Sequence, residues 1–329
     1  MSLPGIKTLE RQYINGSDWY VRENANVSRS YSSFVGYIID KIMGSERTLS
    51  EYLPPEYVKM HSEGYIHIHK LPHALFIPYC NGWMYNKLLR LGLRTPSVSA
   101  RPAKRLETAI SHLVTFLFLA SQEFTGAQAV SGVDLFLAPF IKSGKVSPDY
   151  VRQATQRLMY ELNYPSRLGF QSPFTNITLL LDTIPSFLDL DAIVGGSTVG
   201  KLGDYLEEAM IVARSILEHY LEGDALGRPF TFPLLTMMFT KKFDWNGGRW
   251  GGLTDLIFEL IAKRGTIYIL NGYATNVEAL YALCCRLTVD MEEILRRPIS
   301  LRPSIDEVAD EAKKAAIPRA VWAPPDATG

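Results

Sequence analysis

The sequence predicts an α/β fold, because apolar or β-branched runs of strand length alternate with segments of helical periodicity along its 329 residues. This alternation is typical of parallel βαβ units, whose functional residues lie at the strand ends. Hydrophobic residues make up 47% of the chain, enough to bury a continuous core. No repeat or Ser/Gly-rich linker divides the sequence, so we expect one domain.

The spacing of apolar residues predicts the positions of the helices and strands. Leu106, Ile110, Leu113 and Leu117 lie on one stripe behind Pro102, as in a helix whose first turn holds the proline. Ser or Pro at helix starts and Gly at helix ends support the other bounds. We place helices at 102–124, 147–163, 201–222 and 254–264, with a short charged helix after residue 304, and strands at 65–69, 176–181, 230–235 and 266–270.

Composition excludes several classes of protein. Lys plus Arg and Asp plus Glu both number 34, which argues against a binder of nucleic acid because phosphate tracking needs an excess of basic residues. The longest apolar run, 113–120, is far shorter than the roughly 20 residues that cross a bilayer. The first residues lack the apolar segment of a secretory leader. Three cysteines cannot build a disulfide framework, so we expect a cytoplasmic protein.

The positions of the three cysteines leave two interpretations open. Cys284 and Cys285 are adjacent, so a redox pair would join one of them to Cys80 rather than to each other. All three could instead be small, inert core residues. Cys80, however, lies in the turn-forming segment Pro-Tyr-Cys-Asn-Gly-Trp, which favours an accessible thiol.

His67 and His69 alternate within the predicted strand 65–69, so both imidazoles would lie on one face. A His-x-His pair can contribute to a zinc site, but such a site needs further ligands. Two hydrogen-bonded histidines at a polar strand end are the alternative.

A polar loop at 166–176 leads into the strand 176–181. It could form a rim that faces a ligand, or its side chains could satisfy backbone groups of the loop itself. Neither a P-loop, a dinucleotide-binding glycine motif nor a nucleophile elbow occurs in the chain.

Taken together, several ordered motifs resemble the anaerobic (class III) ribonucleotide reductases from about residue 19 onwards. The motifs, in chain order, are E-N-A-N at 23–26 with 28–31, H-x-x-G-x-I-H-I-H at 61–69, Y-C-x-G-W at 79–83, G-A-Q-A at 126–129 with Asp134 and L-A-P-F at 137–140, P-S-R-x-G-x-Q-x-P-F-T-N at 165–176, G-R-P-F-T-F-P at 227–233 and C-C-R-L at 284–287.

The resemblance implies a ten-stranded α/β barrel of the glycyl radical enzyme type, of which residues 1–329 would be an incomplete, amino-terminal part. In this family a thiyl radical at the tip of a central loop removes the 3′ hydrogen of a ribonucleoside triphosphate, and the 2′ hydroxyl leaves as water. By position, Cys285 would carry the thiyl radical, Cys284 would be its neighbour, and Cys80 would be the second catalytic cysteine. His67, His69, Asn81, Ser166, Arg167 and Asn176 would then line the substrate pocket.

The same resemblance implies further components. The glycyl radical segment would lie beyond residue 329, on a carboxy-terminal part joined by splicing or by association. We expect no regulatory nucleotide-binding domain before the core. We expect no cofactor or metal bound in this part. The radical would come from an iron–sulfur activating enzyme that uses S-adenosylmethionine, with formate as reductant. Partners would include nucleotide effectors such as ATP and a second copy in a homodimer, and the product would supply DNA replication.

Two other functions remain open at this point. The chain could be a non-catalytic module for nucleotide binding or dimerisation. It could also be a zinc-dependent hydrolase that uses His67 and His69.

Overall fold

The computed structural model describes residues 4–22, 28–95, 97–181, 184–246 and 252–273, together with the backbone of 280–282 and 288–290. The α-helices of these ranges are α1 (Ile6–Asn15), α2 (Trp19–Arg22), α3 (Tyr31–Met43), α4 (Glu46–Leu49), α5 (Pro55–Ser62), α6 (Tyr85–Leu91), α7 (Leu106–Glu123), α8 (Val133–Gly144), α9 (Pro148–Asn163), α10 (Pro185–Leu188), α11 (Leu206–Glu222) and α12 (Leu253–Arg264). The strands are β1 (Asn81–Trp83), β2 (Gln128–Ser131), β3 (Thr175–Leu179), β4 (Asp191–Val194), β5 (Ser197–Lys201), β6 (Leu234–Phe239), β7 (Ile267–Asn271), β8 (Leu280–Ala282) and β9 (Thr288–Asp290). Across the described part of the chain, no helix is long and apolar enough to cross a bilayer.

The centre of the molecule is a five-stranded parallel sheet in the order β1-β2-β3-β6-β7. Neighbouring strands follow one another along the chain, apart from the hairpin β4-β5 inserted between β3 and β6. Because parallel crossovers are right-handed, this order places the connecting helices on one side of the sheet. The predicted α/β class is confirmed, and the ten-stranded barrel stays a prediction.

The two faces of the sheet differ in chemistry. Residues in register on adjacent strands share a face, and one such row is apolar: Trp83, Val130, Ile177 and Leu235. Trp83 packs edge-on against Phe116 of α7, with ring centroids 5.1 Å apart, so this is the helix side. The opposite face carries a row of buried hydroxyls: Ser131, Thr178 and Thr236. A parallel sheet covered by helices on both faces is usually apolar on both, so the polar face is suited to a ligand.

The helix predictions hold with small shifts in bounds. Ser147 caps α9 by accepting a hydrogen bond from Tyr150 N, as its position before Pro148 predicts. The first predicted helix begins at Leu106, four residues after Pro102, because residues 101–104 form no regular structure and Arg105 is extended. The third begins at Leu206, after a 3₁₀ turn at 202–205. Gly196 belongs to the turn of the β4-β5 hairpin.

Two predicted strands are wrong or displaced, and in both cases the backbone N–H groups have other partners. Residues 65–69 do not form a strand, since Tyr65 N donates to Met60 O at 2.9 Å and Ile68 N donates to His61 Nδ1 at 3.1 Å. The strand predicted at 230–235 lies at Leu234–Phe239 instead. Phe232 N donates to Asn163 Oδ1 at 3.0 Å, and proline at 233 has no N–H to offer a neighbouring strand. The helix predicted after residue 304 lies outside the described residues.

A buried carboxylate ties the carboxyl ends of β2 and β3 together. Asp134, in the first turn of α8, accepts hydrogen bonds from Leu180 N at 3.2 Å and from Leu181 N at 2.7 Å. Its side chain is fully buried, and burial raises the pKa of the carboxyl to about 6 despite these donors. The structure thus gives a packing role to an acid that the sequence shows only as part of a motif.

This raised pKa predicts a stability that falls as pH rises. The unfolded carboxyl titrates at about its ordinary value of 3.8, whereas the folded one titrates at about 6. Below the lower value both states are protonated, and between the two values only the folded state keeps its proton. The free energy of unfolding should therefore fall by up to about 3 kcal/mol across this window. The Asp134→Asn variant should lack this part of the pH dependence. Denaturant unfolding of the wild-type chain and of the variant at several pH values would measure the difference. Parallel stability profiles would contradict the expectation.

Candidate active site

Cys80 lies at the amino-terminal edge of the sheet, directly before β1. Its Sγ accepts a hydrogen bond from Ala127 N, the residue before β2, at 3.3 Å. The alternation of an extended chain places Cys80 on the same face as Gly82, the polar face defined above. The thiol is partly exposed rather than part of the apolar core. An accessible cysteine is what the turn-forming sequence around it favours.

The backbone of Gly126 passes directly against this cysteine. A Cβ atom at this position would overlap the carbonyl oxygen of Tyr79 and lie 2.8 Å from Cys80 Sγ. Only glycine permits such an approach of two backbone segments. Gly126 therefore sets the distance between the segment before β1 and the segment before β2.

Asn81 belongs to a polar network on the helix side of the sheet edge. Gln128 Oε1 accepts from Trp83 Nε1 at 2.9 Å and from Asn81 Nδ2 at 3.4 Å, and Gln128 Nε2 donates to Gly126 O at 3.0 Å. Gln128 is fully buried and is the centre of this network. It positions the glycine that contacts Cys80.

Cys284 and Cys285 lie outside the described residues, but the strands that flank them are described. β8 ends two residues before Cys284, and β9 begins three residues after Cys285. The two strands pair antiparallel, with Ala282 opposite Thr288. β8 also contacts β1 and β2, whose first residues adjoin Cys80 and its partner Ala127.

The histidines of the His-x-His motif meet, although they are not on a strand. His67 Nε2 lies 3.3 Å from His69 Nδ1, and the His69 ring packs edge-on against Tyr79 with centroids 4.6 Å apart. Burial, His67 and Lys70 lower the pKa of His69. Among the residues that the structure describes, no three His, Cys, Asp or Glu side chains are arranged to hold a metal ion.

The loop at 166–176 is folded on itself and extends towards Cys80. Ser166 N and Arg167 N both donate to Gln171 O, at 3.0 and 2.9 Å. The Arg167 side chain donates from Nη2 to Thr125 O at 3.4 Å, next to Gly126. Ser166 Oγ is buried and makes no hydrogen bond within the described structure. Backbone groups of the loop thus bond to one another, while the Ser166 hydroxyl keeps an unused polar atom and Arg167 keeps unused donors.

Asn176 is placed differently from the other predicted pocket residues. It is fully buried within the sheet, where Nδ2 donates to Thr236 Oγ1 on β6 at 3.0 Å and Oδ1 accepts from Thr178 Oγ1 at 3.5 Å. These bonds join β3 to β6 on the polar face. Asn176 therefore orients the hydroxyls of that face.

The structure brings together most of the residues that the sequence singles out. Cys80, Asn81 and Arg167 share the amino-terminal edge of the sheet, and His69 reaches it through Tyr79. Sequence reasoning did not identify Gln128, Gly126 or Tyr79 as site residues. All three lie in motifs that carry the family resemblance, which was the available signal.

Comparison with known proteins bears on the family and the fold of the chain. The family model of anaerobic ribonucleoside-triphosphate reductases matches residues 23–310. The anaerobic ribonucleotide reductase from Thermotoga maritima in complex with dATP and CTP is 20% identical, with a TM-score of 0.60 over 82% of this chain and 47% of that chain. The structure of that enzyme with citrate in the active site is 21% identical, with a TM-score of 0.61 over 83% of this chain and 51% of that chain. At this identity the likeness shows the fold, and the chain spans about half the length of these structures. No curated protein sequence matches the chain.

Proposed function

Because the chain belongs to the anaerobic ribonucleoside-triphosphate reductase family, we propose that it supplies the cysteine-bearing part of an enzyme that converts ribonucleoside triphosphates to deoxyribonucleoside triphosphates. Cys285 would carry the thiyl radical, and Cys80 would be the second catalytic thiol. Nucleotides with a triphosphate group are the proposed substrates and effectors, and the working enzyme would be a homodimer.

The observation that carries the proposal is the contact of β8 with β1 and β2. Cys80 adjoins the first of these strands in the sheet, and Cys284 follows β8 after two residues. The strand after Cys80 and the strand before Cys284 are therefore in contact, although they are some 200 residues apart in sequence. Separated cysteines at one site are what a reaction with two thiols requires.

The described residues fit the chemistry of hydrogen-atom transfer. A thiol that exchanges a hydrogen atom must stay protonated, unlike the reactive thiolate of a nucleophilic cysteine at a helix N-terminus. Cys80 Sγ accepts a hydrogen bond from Ala127 N, and Cys80 does not lie at a helix terminus.

The overall reaction is balanced with formate as the reductant. The 3′ hydrogen is removed and later returned, the 2′ hydroxyl leaves as water after protonation, and formate is oxidised to carbon dioxide. A glycyl radical, made by an iron–sulfur enzyme with S-adenosylmethionine, would generate the thiyl radical. That glycine would lie in the part of the relatives that this chain does not span, supplied by splicing or by association.

Reconstitution tests the proposal. The chain would be combined anaerobically with a carboxy-terminal part of this family, the activating enzyme, formate and a ribonucleoside triphosphate. We expect deoxyribonucleotide only when every component is present. Formation of product by the 329-residue chain without the carboxy-terminal part would contradict the division of roles.

A further inference from the structure

Arg167 is a half-buried arginine that has no carboxylate partner among the described residues. Arginines on the outer helices pair with carboxylates, as in Arg90–Asp191, Arg157–Glu161 and Arg228–Asp224. Arg264 has no carboxylate, but it donates to three backbone carbonyl groups, those of Leu221, Glu222 and Gly227. Within the described ranges, Arg167 makes one hydrogen bond, to Thr125 O at 3.4 Å.

The surroundings of Arg167 make an unpaired guanidinium energetically unfavourable when no ligand is bound. Burial lowers the pKa of the guanidinium, and no carboxylate among the described residues offsets this effect. A partly buried cation needs a counter-ion or a full set of acceptors, since loss of hydration is otherwise uncompensated. A contact of 3.4 Å to one carbonyl is at the weak end of the hydrogen-bond range and leaves the other donors available.

The residue whose carbonyl oxygen accepts the hydrogen bond from Arg167 is Thr125, and its side chain is a second polar group with unused hydrogen-bonding capacity. Thr125 Oγ1 is buried and makes no hydrogen bond within the described structure. Buried hydroxyls without partners are rare in folded proteins and call for an explanation such as a ligand. Beyond Tyr79, the His69 ring packs on the tyrosine, and the basic residue Lys70 follows it in the chain.

We propose that Arg167 and Thr125 form a subsite for an oxyanion, either a carboxylate or a phosphate, beside Cys80. The guanidinium would donate two parallel hydrogen bonds to the anion, and the threonine hydroxyl would donate a third. Gly126, between Thr125 and the strand β2, brings this subsite against Cys80. The location rests on the proposed function, but anion binding itself requires no radical.

Calorimetric titration of the 329-residue chain with inorganic phosphate, formate and CTP tests the subsite. We expect at least one of these anions to bind, and to bind at least about tenfold more weakly to Arg167→Met. Binding of phosphate and CTP would identify a phosphate subsite, whereas binding of formate would identify a carboxylate subsite. The matched control is Arg157→Met, which removes an exposed arginine that pairs with Glu161 and should leave the affinity unchanged.

Thr125→Val separates a ligand role from a structural one. Because the hydroxyl has no partner in the described structure, its loss should not lower the free energy of unfolding, while it should weaken anion binding about threefold or more. If the Arg167→Met variant does not fold, Arg167→Lys replaces it in the binding measurement, because lysine keeps the positive charge and loses the bidentate hydrogen-bonding geometry. Absence of anion binding, or equal affinities of the wild-type chain and the Arg167 variant, would overturn the proposal. Because neither assay uses the reductase reaction, failure of the subsite and failure of the proposed function are distinguishable.

Discussion

Cys285→Ser should abolish ribonucleotide reduction in the reconstituted enzyme, with a loss of at least about a thousandfold. The reason is chemical rather than structural. Serine has nearly the shape of cysteine, but its O–H bond is much stronger than an S–H bond, so an alkoxyl radical cannot be formed in place of the thiyl radical. The measurement is anaerobic formation of deoxyribonucleotide from a ribonucleoside triphosphate.

Cys284→Ser is the matched control for this prediction. It makes the same atomic change one residue earlier, and a cysteine that only neighbours the radical should tolerate it with measurable turnover. Loss of activity in Cys284→Ser with retention in Cys285→Ser would move the assignment to Cys284. Activity in both variants would remove this cysteine pair from the chemistry.

Gly126→Ala should have the largest effect of any substitution among the described residues around Cys80. The new Cβ would overlap the Tyr79 carbonyl and crowd Cys80 Sγ, so backbone must move because no flexible side chain can yield. We expect the free energy of unfolding to fall by about 2 kcal/mol or more, measured by urea denaturation. We also expect the folded protein to lose reductase activity after reconstitution, because Cys80 is displaced.

Two other glycine variants serve as controls for Gly126→Ala. Gly36→Ala, within α3, places a Cβ in open space and should leave stability unchanged or raise it slightly. Gly223→Ala, at the end of α11, overlaps the Arg228 carbonyl and should lower stability while leaving the geometry of Cys80 intact. Unchanged stability in Gly126→Ala would show that the two backbone segments are not in contact as described.

The helices and strands that could be predicted from sequence are those whose periodic pattern of apolar residues extends over many residues. The helical stripe ending at Leu117 covers several turns, so α7 is evident from spacing alone. In contrast, β1 has three residues and β2 has four, which is too short for a period of two to stand out. The helix at 133–144 was missed because all residues from Val133 to Ile141 are buried and the segment therefore lacks a polar face.

The same distinction between local patterns and long-range contacts applies to the residues of the candidate site. Cys80 and the loop around Arg167 were found because their residue types carry chemistry and their motifs are ordered. Gln128 and Gly126 were missed because their contribution depends on a neighbour 47 residues away in sequence, as in the bond from Asn81 to Gln128. Such contacts exist only after the strands have paired, and local sequence patterns do not report them.

The most direct test of the central claim follows hydrogen at the 3′ carbon of the substrate. A ribonucleoside triphosphate with deuterium at this position would be turned over by the chain, a carboxy-terminal part carrying the glycyl radical, and formate, with the deoxyribonucleotide analysed by mass spectrometry. The account predicts product in the complete mixture, a slower rate than with hydrogen at the 3′ carbon, and no product when Cys285→Ser replaces the wild-type chain. Equal rates for the two substrates, or no product from a carboxy-terminal part fully loaded with radical, would contradict it.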